Sequence, residues 1–494
     1  MESEGTHHNE FRRVVQSVRE QPVLFVAFTS YKTFAVLIFM EGFFFQRTFQ
    51  AGSFTLPILV PFLLICAAVC MFFAFRFKKI KVFGKSEYLW SLAACMVFGV
   101  FSLFMEAHAG IANETLRLLT LGLGMALLGV GFMGIHIELG RVFGMLGMTP
   151  TLTFGIASTL ATAVIILGLS VVAEPIIIWI IIFALPVVIA LSFYCAKQSA
   201  FPDQKVLYRK SATDLLIPYR FMATSIIQGL ALGIPLGFVS LSGYFGQVID
   251  SAGYLVAALL ALVVVLMLKM DFNRTIYQIG FPIAACGLLV LGMFGQTVIA
   301  GVLQIAGFIY LDLVLWGLGS YLIKNCDQPA TWVASCPTSA LMTGRAFGVV
   351  IGSIALQALV DPAQKAVFFC CMAFLVLLGA LLLSSDSNLR TGWGFVRPGA
   401  SSESDDSFRM CQVIAQDFGL TQRELEIMHS IIIGKSRRDI AEDMFITPNT
   451  IKTHLHNLYG KLDIHSESDL KAFVIKRGKI FSATPESTSI PVDE

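Results

Sequence analysis

The sequence is poor in charged residues. Asp, Glu, Lys and Arg make up 14% of its 494 residues, and hydrophobic residues make up 56%. An ordinary soluble domain carries about 25% charged residues. This gap excludes one large soluble core, so lipid is the expected solvent for most of the chain. The net charge of +2 says nothing about a nucleic-acid partner, and the distribution of charge matters more.

Motifs that carry reaction chemistry are also missing. The ten cysteines show no C-x-x-C spacing and no accompanying histidine cluster, so we expect packing residues in a reducing compartment and no metal site. No nucleophile elbow, phosphate loop or zinc signature occurs, so the sequence predicts neither an enzyme nor a bound cofactor. The polar N-terminus has no signal-peptide cleavage pattern.

Long apolar runs fill the chain from Pro22 to about Ser384. A helix needs roughly 20 apolar residues to cross the hydrocarbon core of a bilayer. The runs predict twelve spans, at 22–45, 55–76, 88–106, 116–136, 152–172, 175–195, 219–244, 251–270, 275–294, 298–323, 338–360 and 366–384. An earlier start near Val142 is an alternative for the fifth span, and the eleventh contains Arg345.

Basic residues predict the orientation of these spans. With the N-terminus in the cytoplasm, about eighteen Lys and Arg fall on the inner side, and three, Arg47, Arg117 and Lys365, fall on the outer side. Inner loops of membrane proteins carry the excess of basic residues. An even number of spans then returns the C-terminus to the cytoplasm, in a bacterial inner membrane.

The spans divide into two groups of six around the long loop from Lys197 to Tyr219. Gly140-Arg-Val-Phe-Gly144 and Gly344-Arg-Ala-Phe-Gly348 echo each other, and we expect them at matching places for spans five and eleven. Six plus six spans with a long central loop resembles the major facilitator superfamily. Members usually carry an Asp-Arg pattern between spans two and three, whereas this chain reads FRFKKIKVFGKSEY without Asp, which argues against coupled transport.

The composition changes sharply after Ser384. A stretch rich in Ser, Gly and Asp predicts a flexible linker, and helical periodicity follows it. The predicted organisation is all-α, with a polytopic bundle of twelve transmembrane helices and a C-terminal helical domain. Its segments are a cytoplasmic N-terminus (1–21), the twelve-span domain (22–384), the linker (385–404), a soluble domain (405–480) and a disordered tail (481–494).

The soluble domain carries signals for three helix starts. Thr421 with Glu424 forms a capping box, Ser436 caps a second helix, and Thr447 with Pro448 begins a third. The third helix has apolar residues on one face and polar residues on the other, which is typical of a helix-turn-helix. The positions predicted to be buried are Leu425, Met428, Ile431, Ile432, Ile440, Ala441, Met444, Ile451, Leu455, Leu458 and Leu462.

About 60 residues at this end closely resemble the LuxR-type DNA-binding domain, which NarL-like response regulators share. The matching motifs are Leu420-Thr421-x-Arg423-Glu424, Gly434, Ile440-Ala441-Glu442, Thr450-Ile451-Lys452-Thr453-His454 and Lys461-Leu462. The resemblance implies a four-helix domain whose third helix enters the major groove of DNA. No receiver domain precedes it, so phosphorylation is not the evident input.

The resemblance also implies which residues contact DNA. The positions of Lys452, Thr453 and His456 contact bases or nearby phosphates, while His454 lies off the reading face. Residues that hold the DNA backbone match Thr450 and Lys461 and the start of the second helix. The full predicted set is Arg437, Arg438, Thr447, Asn449, Thr450, Lys452, Thr453, His456 and Lys461.

The fourth helix, from Ser466 to about Lys476, usually pairs two domains in this family. Many members carry a basic residue where this chain has Glu467, which leaves either a backbone contact or the dimer packing open. Acidic residues offset the basic ones across 405–480, and phosphate neutralisation supplies much of the affinity for DNA. We therefore expect DNA binding to require a homodimer on two half-sites.

Polar residues inside the spans are candidates for a ligand site, because a charge near the bilayer centre is costly. The predicted ligand residues are Lys32, Glu41, Gln228, Gln304 and Asp312. Structural ion pairing is the alternative for Lys32 and Asp312. His136, Glu138 and Arg141 cluster at the inner end of the fourth span. For Glu138, Arg141 and Arg345 we expect an inner-face structural or gating role. Glycines at every fourth residue in spans seven and eleven predict close helix packing.

Three hypotheses follow for the whole chain. The first is a membrane-bound, one-component transcriptional regulator that senses a small molecule through its spans and binds promoter DNA. The second is a transporter of the major facilitator type with an appended regulatory domain. In the third, the C-terminal domain binds a protein partner instead of DNA.

Overall fold

The computed structural model describes residues 15, 18–39, 47–76, 87–109, 112–172, 175–200, 219–240, 246–268, 270–325, 329–384, 410–411, 414–415, 417–432, 436–444 and 446–474. The chain divides into two compact units, one within residues 1–385 and the other within 400–494. The predicted linker (385–404), the predicted tail (481–494) and Glu41 lie outside the described residues.

The first unit, here called the membrane unit, consists of long helices and one short hairpin. Its helices are α1 (Pro22–Phe39), α2 (Leu59–Arg76), α3 (Tyr88–His108), α4 (Glu114–Leu146), α5 (Met148–Val172), α6 (Pro175–Ala200), α7 (Tyr219–Ser240), α8 (Gln247–Ala261, extended by a π-helix over Leu262–Met267), α9 (a π-helix over Arg274–Gly280, then Phe281–Phe294), α10 (Val298–Asn325), α11 (Ala330–Ala358) and α12 (Pro362–Leu383).

Twelve helices within the described ranges are long and apolar enough to cross a membrane, which confirms the predicted number. Some predicted boundaries were wrong. Helix α4 continues to Leu146 and α5 begins at Met148, because Gly147 separates them with a positive φ of 92°. Helix α11 begins at Ala330, eight residues before the predicted start, with Pro337 inside it. Neighbouring helices in a membrane bundle make such a proline tolerable.

The expected match between the two Gly-Arg echoes was also wrong. Gly140 to Gly144 lies at the end of α4, whereas Gly344 to Gly348 lies in the middle of α11. Arg141, Lys197 and Arg345 are buried inside helices, so they do not belong in a tally of loop charges. Without them the tally is about fifteen basic residues against three, and the asymmetry between the two sides persists.

A short hairpin precedes α2 where the sequence predicted the start of a span. Strand β1 (Thr48–Ala51) pairs antiparallel with β2 (Phe54–Pro57), and Gly52 has a φ of 65° in the turn. The side-chain amide of Gln357 in α11 fixes β2. Its Oε1 accepts the N–H of Thr55 at 2.9 Å, and its Nε2 donates to the Thr55 carbonyl at 2.8 Å. The hairpin is therefore attached to α11.

Helices α7 and α11 pack closely along two facing rows of glycine. Gly229, Gly233 and Gly237 lie against the backbone of α11, and Gly344, Gly348 and Gly352 lie against the backbone of α7. A Cβ atom at any of these positions would collide with main-chain atoms of the other helix. The glycine spacing thus brings two helix backbones into direct contact, which supplies packing where lipid removes the hydrophobic driving force.

The second unit is here called the DNA unit, because the sequence predicts that it binds DNA. It contains helical residues between 410 and 417 and four further helices in the described C-terminal residues. They are α13 (Gln422–Ile432), α14 (Arg437–Asp443), α15 (Pro448–Leu462) and α16 (467–474). The predicted core positions are buried, with the exception of Ile432, which is half-buried. Leu470 and Val474 of α16 join this core. The domain is a small helical bundle whose third helix is its longest.

Candidate DNA-binding surface and membrane cavity

The third helix of the DNA unit begins as the sequence predicts. The Thr447 hydroxyl accepts the N–H of Thr450 at 3.3 Å, and the two hydroxyl oxygens lie 2.9 Å apart. Pro448 takes the first helical position, where a missing N–H has no cost. Thr447 and Thr450 therefore hold the start of α15, and their predicted contacts with DNA involve groups already bonded to each other.

The two faces of α15 have opposite character. Ile451, Leu455, Leu458 and Leu462 are at most 3% exposed and anchor the helix to the core. On the other side Asn449, Lys452, Thr453 and His456 are exposed. A helix turns by about 100° per residue, which places Lys452, Thr453 and His456 within one arc of that side. This arc is a polar surface of the kind that reads base edges in a major groove.

Lys461 links α15 to the start of α13 from the surface of the domain. Its Nζ donates to Glu424 Oε2 at 2.8 Å and to the Gly419 carbonyl at 3.1 Å. Glu424 also accepts the N–H of Thr421 at 2.6 Å, which confirms the predicted capping box. Burial raises the pKa of Glu424, but the hydrogen bonds from Lys461 and Thr421 outweigh it and leave this pKa below its ordinary value. Lys461 positions α15 against α13, and its contact with phosphate stays a prediction.

Glu467, the residue that departs from the family pattern, lies near a predicted DNA contact. Its Oε2 is 3.8 Å from Arg437 Nη2, and its Oε1 accepts from Lys471 Nζ at 3.1 Å. Arg437 and Arg438 are both exposed at the start of α14, where phosphate contacts are predicted. The carboxylate of Glu467 therefore offsets part of the positive charge that Arg437 would present to DNA.

The membrane unit contains a cavity of about 70 Å³ between α4, α7, α10 and α11. Polar groups of His136, Gln228, Asp312 and Trp316 reach its wall, and apolar residues complete it. Asp312 and Trp316 are one turn apart on α10, and both line the cavity. The mixture of an apolar wall and a few polar groups is usual in small-molecule sites, which have volumes of about 300–1,000 Å³. A ligand therefore requires the helices around this smaller cavity to move apart.

The structure brings together some of the predicted ligand residues and separates others. Gln228 and Asp312 line the cavity. Lys32 is buried beside it, donating to Thr159 Oγ1 at 2.8 Å and lying 5.0 Å from the centre of the Phe28 ring. The charges of Lys32 and Asp312 interact. Gln304 is not among the residues that line the cavity. Its amide donates to the Ala284 carbonyl at 3.1 Å.

His136 joins three helices at the cavity wall. Its Nδ1 lies 2.7 Å from the Tyr31 hydroxyl of α1, and its Nε2 lies 3.0 Å from Thr338 Oγ1 of α11. The Thr338 hydroxyl already donates to the Ala334 carbonyl at 2.7 Å, so it accepts the proton of Nε2 and Nδ1 accepts from Tyr31. The sequence offered no signal for this chain of bonds, because its members are far apart in the sequence.

Glu138 and Arg141, which the sequence grouped with His136, belong to a separate buried cluster. Glu138 Oε2 is 3.0 Å from Arg141 Nη1, and Glu138 Oε1 is 2.5 Å from Lys197 Nζ of α6. All three side chains are at most 3% exposed. Arg345 is buried in α11 between the rings of Phe39 and Phe308. These charges connect helices, in agreement with the expected structural role.

Comparison with known proteins identifies the C-terminal segment. Residues 419–474 match the family described as bacterial regulatory proteins, luxR family. The transcriptional regulatory protein LiaR of Bacillus subtilis is 43% identical over 54 residues, which are 11% of this chain and 26% of that protein. The CsgBAC operon transcriptional regulatory protein of Escherichia coli is 45% identical over 49 residues, 10% of this chain and 23% of that protein. The chain spans about a quarter of the length of these relatives.

Solved structures align with the membrane unit at low identity. The E. coli fucose:proton symporter FucP is 12% identical, with a TM-score of 0.41 over 76% of this chain and 99% of that one. A bacterial homologue of the iron transporter ferroportin is 11% identical, with a TM-score of 0.47 over 75% and 99%. Since both TM-scores are below 0.5, the twelve-span architecture rests on the helices themselves.

No group of three or more His, Cys, Asp or Glu that suits a metal ion occurs among the residues that the structure describes. The candidate functional surfaces are the polar face of α15 and the polar cavity between the spans. The chain is a multi-pass membrane protein whose C-terminal unit is a helix-turn-helix DNA-binding domain of the luxR family.

Proposed function

We propose that this protein is a one-component transcriptional regulator of a bacterial inner membrane, with both termini in the cytoplasm. A small molecule binds within the twelve-span unit and changes how the C-terminal domains pair on promoter DNA. The observation that carries the proposal is the presence, on one chain, of an exposed DNA-reading face and a polar cavity inside the membrane unit.

The DNA-binding half of the proposal rests on α15. Lys452, Thr453 and His456 are exposed together while the opposite face is buried, as a helix that inserts into a groove requires. The domain also has acidic residues, and Glu467 lies beside Arg437. One copy therefore offers few unopposed cations, and a homodimer that engages two half-sites doubles the phosphate contacts.

The sensing half of the proposal rests on the cavity. Its walls come from α4 in the first six spans and from α7, α10 and α11 in the second six. Lys32 of α1 interacts across the two groups with Asp312 of α10. A ligand in this cavity contacts both groups of six spans. Its affinity therefore depends on how the two groups are arranged relative to each other. Such a difference in affinity is what allows a ligand to shift a conformational equilibrium.

Capture of genomic DNA tests the DNA-binding half. Full-length protein in lipid nanodiscs is mixed with fragmented DNA from its host, and the retained fragments are sequenced. We expect enriched fragments with two half-sites about 10 base pairs apart, since a dimer places its reading helices one turn of DNA apart. The double variant Lys452→Ala, His456→Ala should lose this enrichment, whereas His454→Ala, which lies off the reading face, should keep it.

Equal background capture by the wild type and the double variant contradicts the proposal. It would favour the alternative in which the C-terminal domain binds a protein. A change in target-gene transcription that survives the double variant would support that alternative further.

A transporter with an appended regulatory domain is the second candidate. The observation that favours it is the carboxylate of Asp312 in a cavity that both groups of spans line. Reconstituted vesicles with an imposed proton gradient test it. Gradient-dependent uptake that Asp312→Asn abolishes supports transport, whereas binding without uptake supports a sensor.

A further inference from the structure

A second pocket lies in the membrane unit, at the end that the basic loops predict to face outward. It has a volume of about 240 Å³ and is lined by Arg47, Leu103, Glu106, Ala107, His108, Leu121 and Trp179. These residues come from the segment before β1 and from α3, α4 and α6. The pocket is separate from the cavity around Asp312, with which it shares no residue.

Two arginines share one carboxylate at this pocket, Arg47 in its wall and Arg117 beside Glu106. Glu106 forms an ion pair with Arg47, and its Oε1 is 3.9 Å from Arg117 Nε. Among the described residues at this end, Glu106 is the carboxylate that both guanidinium groups share. Burial and the charge of Arg117 lower the pKa of Arg47, so the two cations already interact unfavourably. A second anion would balance them.

Part of the pocket wall is aromatic, with His108 and Trp179 among the lining residues. The His108 ring stacks on Phe104 at 4.5 Å between ring centres, and Trp179 meets both rings edge to face, at 5.5 Å and 4.7 Å. His108 Nδ1 donates to the Phe104 carbonyl at 3.1 Å, which fixes the orientation of the imidazole. Aromatic rings held in this way present a rigid apolar surface to a flat molecule.

The geometry points to a binding site for small aromatic carboxylates in this pocket. The carboxylate of the ligand accepts hydrogen bonds from Arg47 and Arg117, and its ring packs against Trp179 and His108. Arginine suits this role because its planar guanidinium matches a carboxylate with two parallel hydrogen bonds. A cavity of about 150 Å³ holds benzene, so the volume here fits a single-ring acid.

The hairpin connects this pocket to the rest of the membrane unit. The carbonyl of Arg47 accepts the N–H of Ile58 at 2.9 Å, which closes the base of the hairpin. Gln357 then ties β2 to α11, and α11 packs against α7 along the glycine rows. An anion bound to Arg47 therefore contacts a segment that is fixed to α11. This connection rests on the proposed function, in which the membrane unit is the sensor, but binding at the pocket does not.

The test is direct binding to full-length protein in nanodiscs without DNA. Benzoate and phenylacetate are the probes, benzyl alcohol is the uncharged control, acetate is the control without a ring, and calorimetry measures the dissociation constants. We expect at least one of the two aromatic acids to bind saturably and both controls to bind at least tenfold more weakly. Arg117→Gln and Arg47→Gln should each weaken binding by roughly tenfold or more, because a hydrogen bond to a charged group is lost.

Lys365→Gln is the matched control, because Lys365 lies at the predicted outer side near Phe238, away from this pocket. It should leave the dissociation constant unchanged, while Trp179→Leu should weaken aromatic acids and not acetate. Absence of saturable binding by both aromatic acids overturns the inference. Equal binding of acetate, or binding that Arg117→Gln and Arg47→Gln leave unchanged, also overturns it. DNA capture is measured separately, so failure of the proposed regulator function and failure of this site are distinguishable.

Discussion

The two units of this protein differ in where their charged side chains lie. The membrane unit buries Lys32, Glu138, Arg141, Lys197 and Arg345, each held by another polar group or by an aromatic ring. The DNA unit leaves most of its charges in water, among them those of Lys452, Arg437 and Arg438. Its buried acids, Glu424 and Glu426, pair with Lys461 and Arg423 at the edge of the core.

This difference separates charges that hold helices together from charges that recognise a partner. A buried ion pair is costly to break, because one partner remains uncompensated in a medium of low dielectric. An exposed charge contributes little to folding and is available to a phosphate or a base. We therefore expect substitutions of the buried charges in the membrane unit to affect folding or conformational state. Substitutions on the exposed face of α15 should affect DNA binding alone.

The largest expected effect is on the buried cluster around Glu138. Glu138→Ala leaves Arg141 and Lys197 without their shared carboxylate, and removal of one partner from a buried pair costs about 3–5 kcal/mol. We expect a large loss of thermal stability in detergent, measured by unfolding of the purified protein. Glu114→Ala, on the exposed first turn of the same helix, is the control and should cost less than about 1 kcal/mol. Equal stability of the two variants would contradict a structural role for Glu138.

The next effect concerns the glycine rows. Gly233→Ala places a methyl group against the backbone of Arg345 and Gly348, and overpacking costs about 1–3 kcal/mol. The backbone contact prevents simple side-chain adjustment, so we expect the upper end of this range in thermal unfolding. Gly168→Ala is matched, because nothing lies within 4 Å of a Cβ there, and it should be neutral or stabilising. Similar melting temperatures would show that α7 and α11 do not pack as described.

Loss of a reading residue should affect DNA and leave the fold intact. Lys452→Ala removes an exposed cation from α15, and a lost base or phosphate contact costs about 1–3 kcal/mol of DNA affinity. Fluorescence anisotropy on a captured DNA fragment measures this loss, and the melting temperature should not change. Reduced binding together with reduced stability would indicate that Lys452 supports the fold instead.

The smallest effect tests the departure from the family at Glu467. Glu467→Gln removes the carboxylate beside Arg437, and an exposed pair of this kind contributes about 0.2–1 kcal/mol. We expect DNA binding to strengthen by about two- to fivefold, with a steeper dependence on salt because Arg437 then neutralises a phosphate. Arg437→Gln in the same background should cancel the gain. Weaker binding by Glu467→Gln would assign Glu467 to dimer packing.

Local pattern was sufficient to predict much of the fold. The twelve spans depend on runs of apolar residues, and the starts of α13, α14 and α15 depend on caps within three residues of each other, namely Thr421 with Glu424, Ser436 with Asp439, and Thr447 with Thr450. The buried face of α15 follows from helical periodicity alone. The errors occurred where a tertiary neighbour decides, such as the continuation of α11 through Pro337.

The candidate membrane site is formed by contacts between residues far apart in the sequence, which no local pattern predicts. Gln228 and Asp312 were predicted as polar residues inside spans, and both line the cavity. Their neighbour His136 also lines it and is held by bonds to Tyr31 and Thr338, which are 105 and 202 residues away in sequence. Lys197 was counted as a loop charge, yet it lies 2.5 Å from Glu138, 59 residues earlier. The predicted DNA contacts and ligand contacts stay predictions.

We propose that the membrane unit controls how the DNA unit regulates transcription. The most direct measurement is transcription from a captured promoter fused to a reporter, in cells with wild-type protein or with Asp312→Asn, at equal abundance in the membrane. We expect reporter output to differ several-fold, because the cavity residue influences how the C-terminal domains pair on the promoter. Identical reporter output from both proteins would contradict the claim, because the cavity residue would then have no influence on the domain that binds DNA.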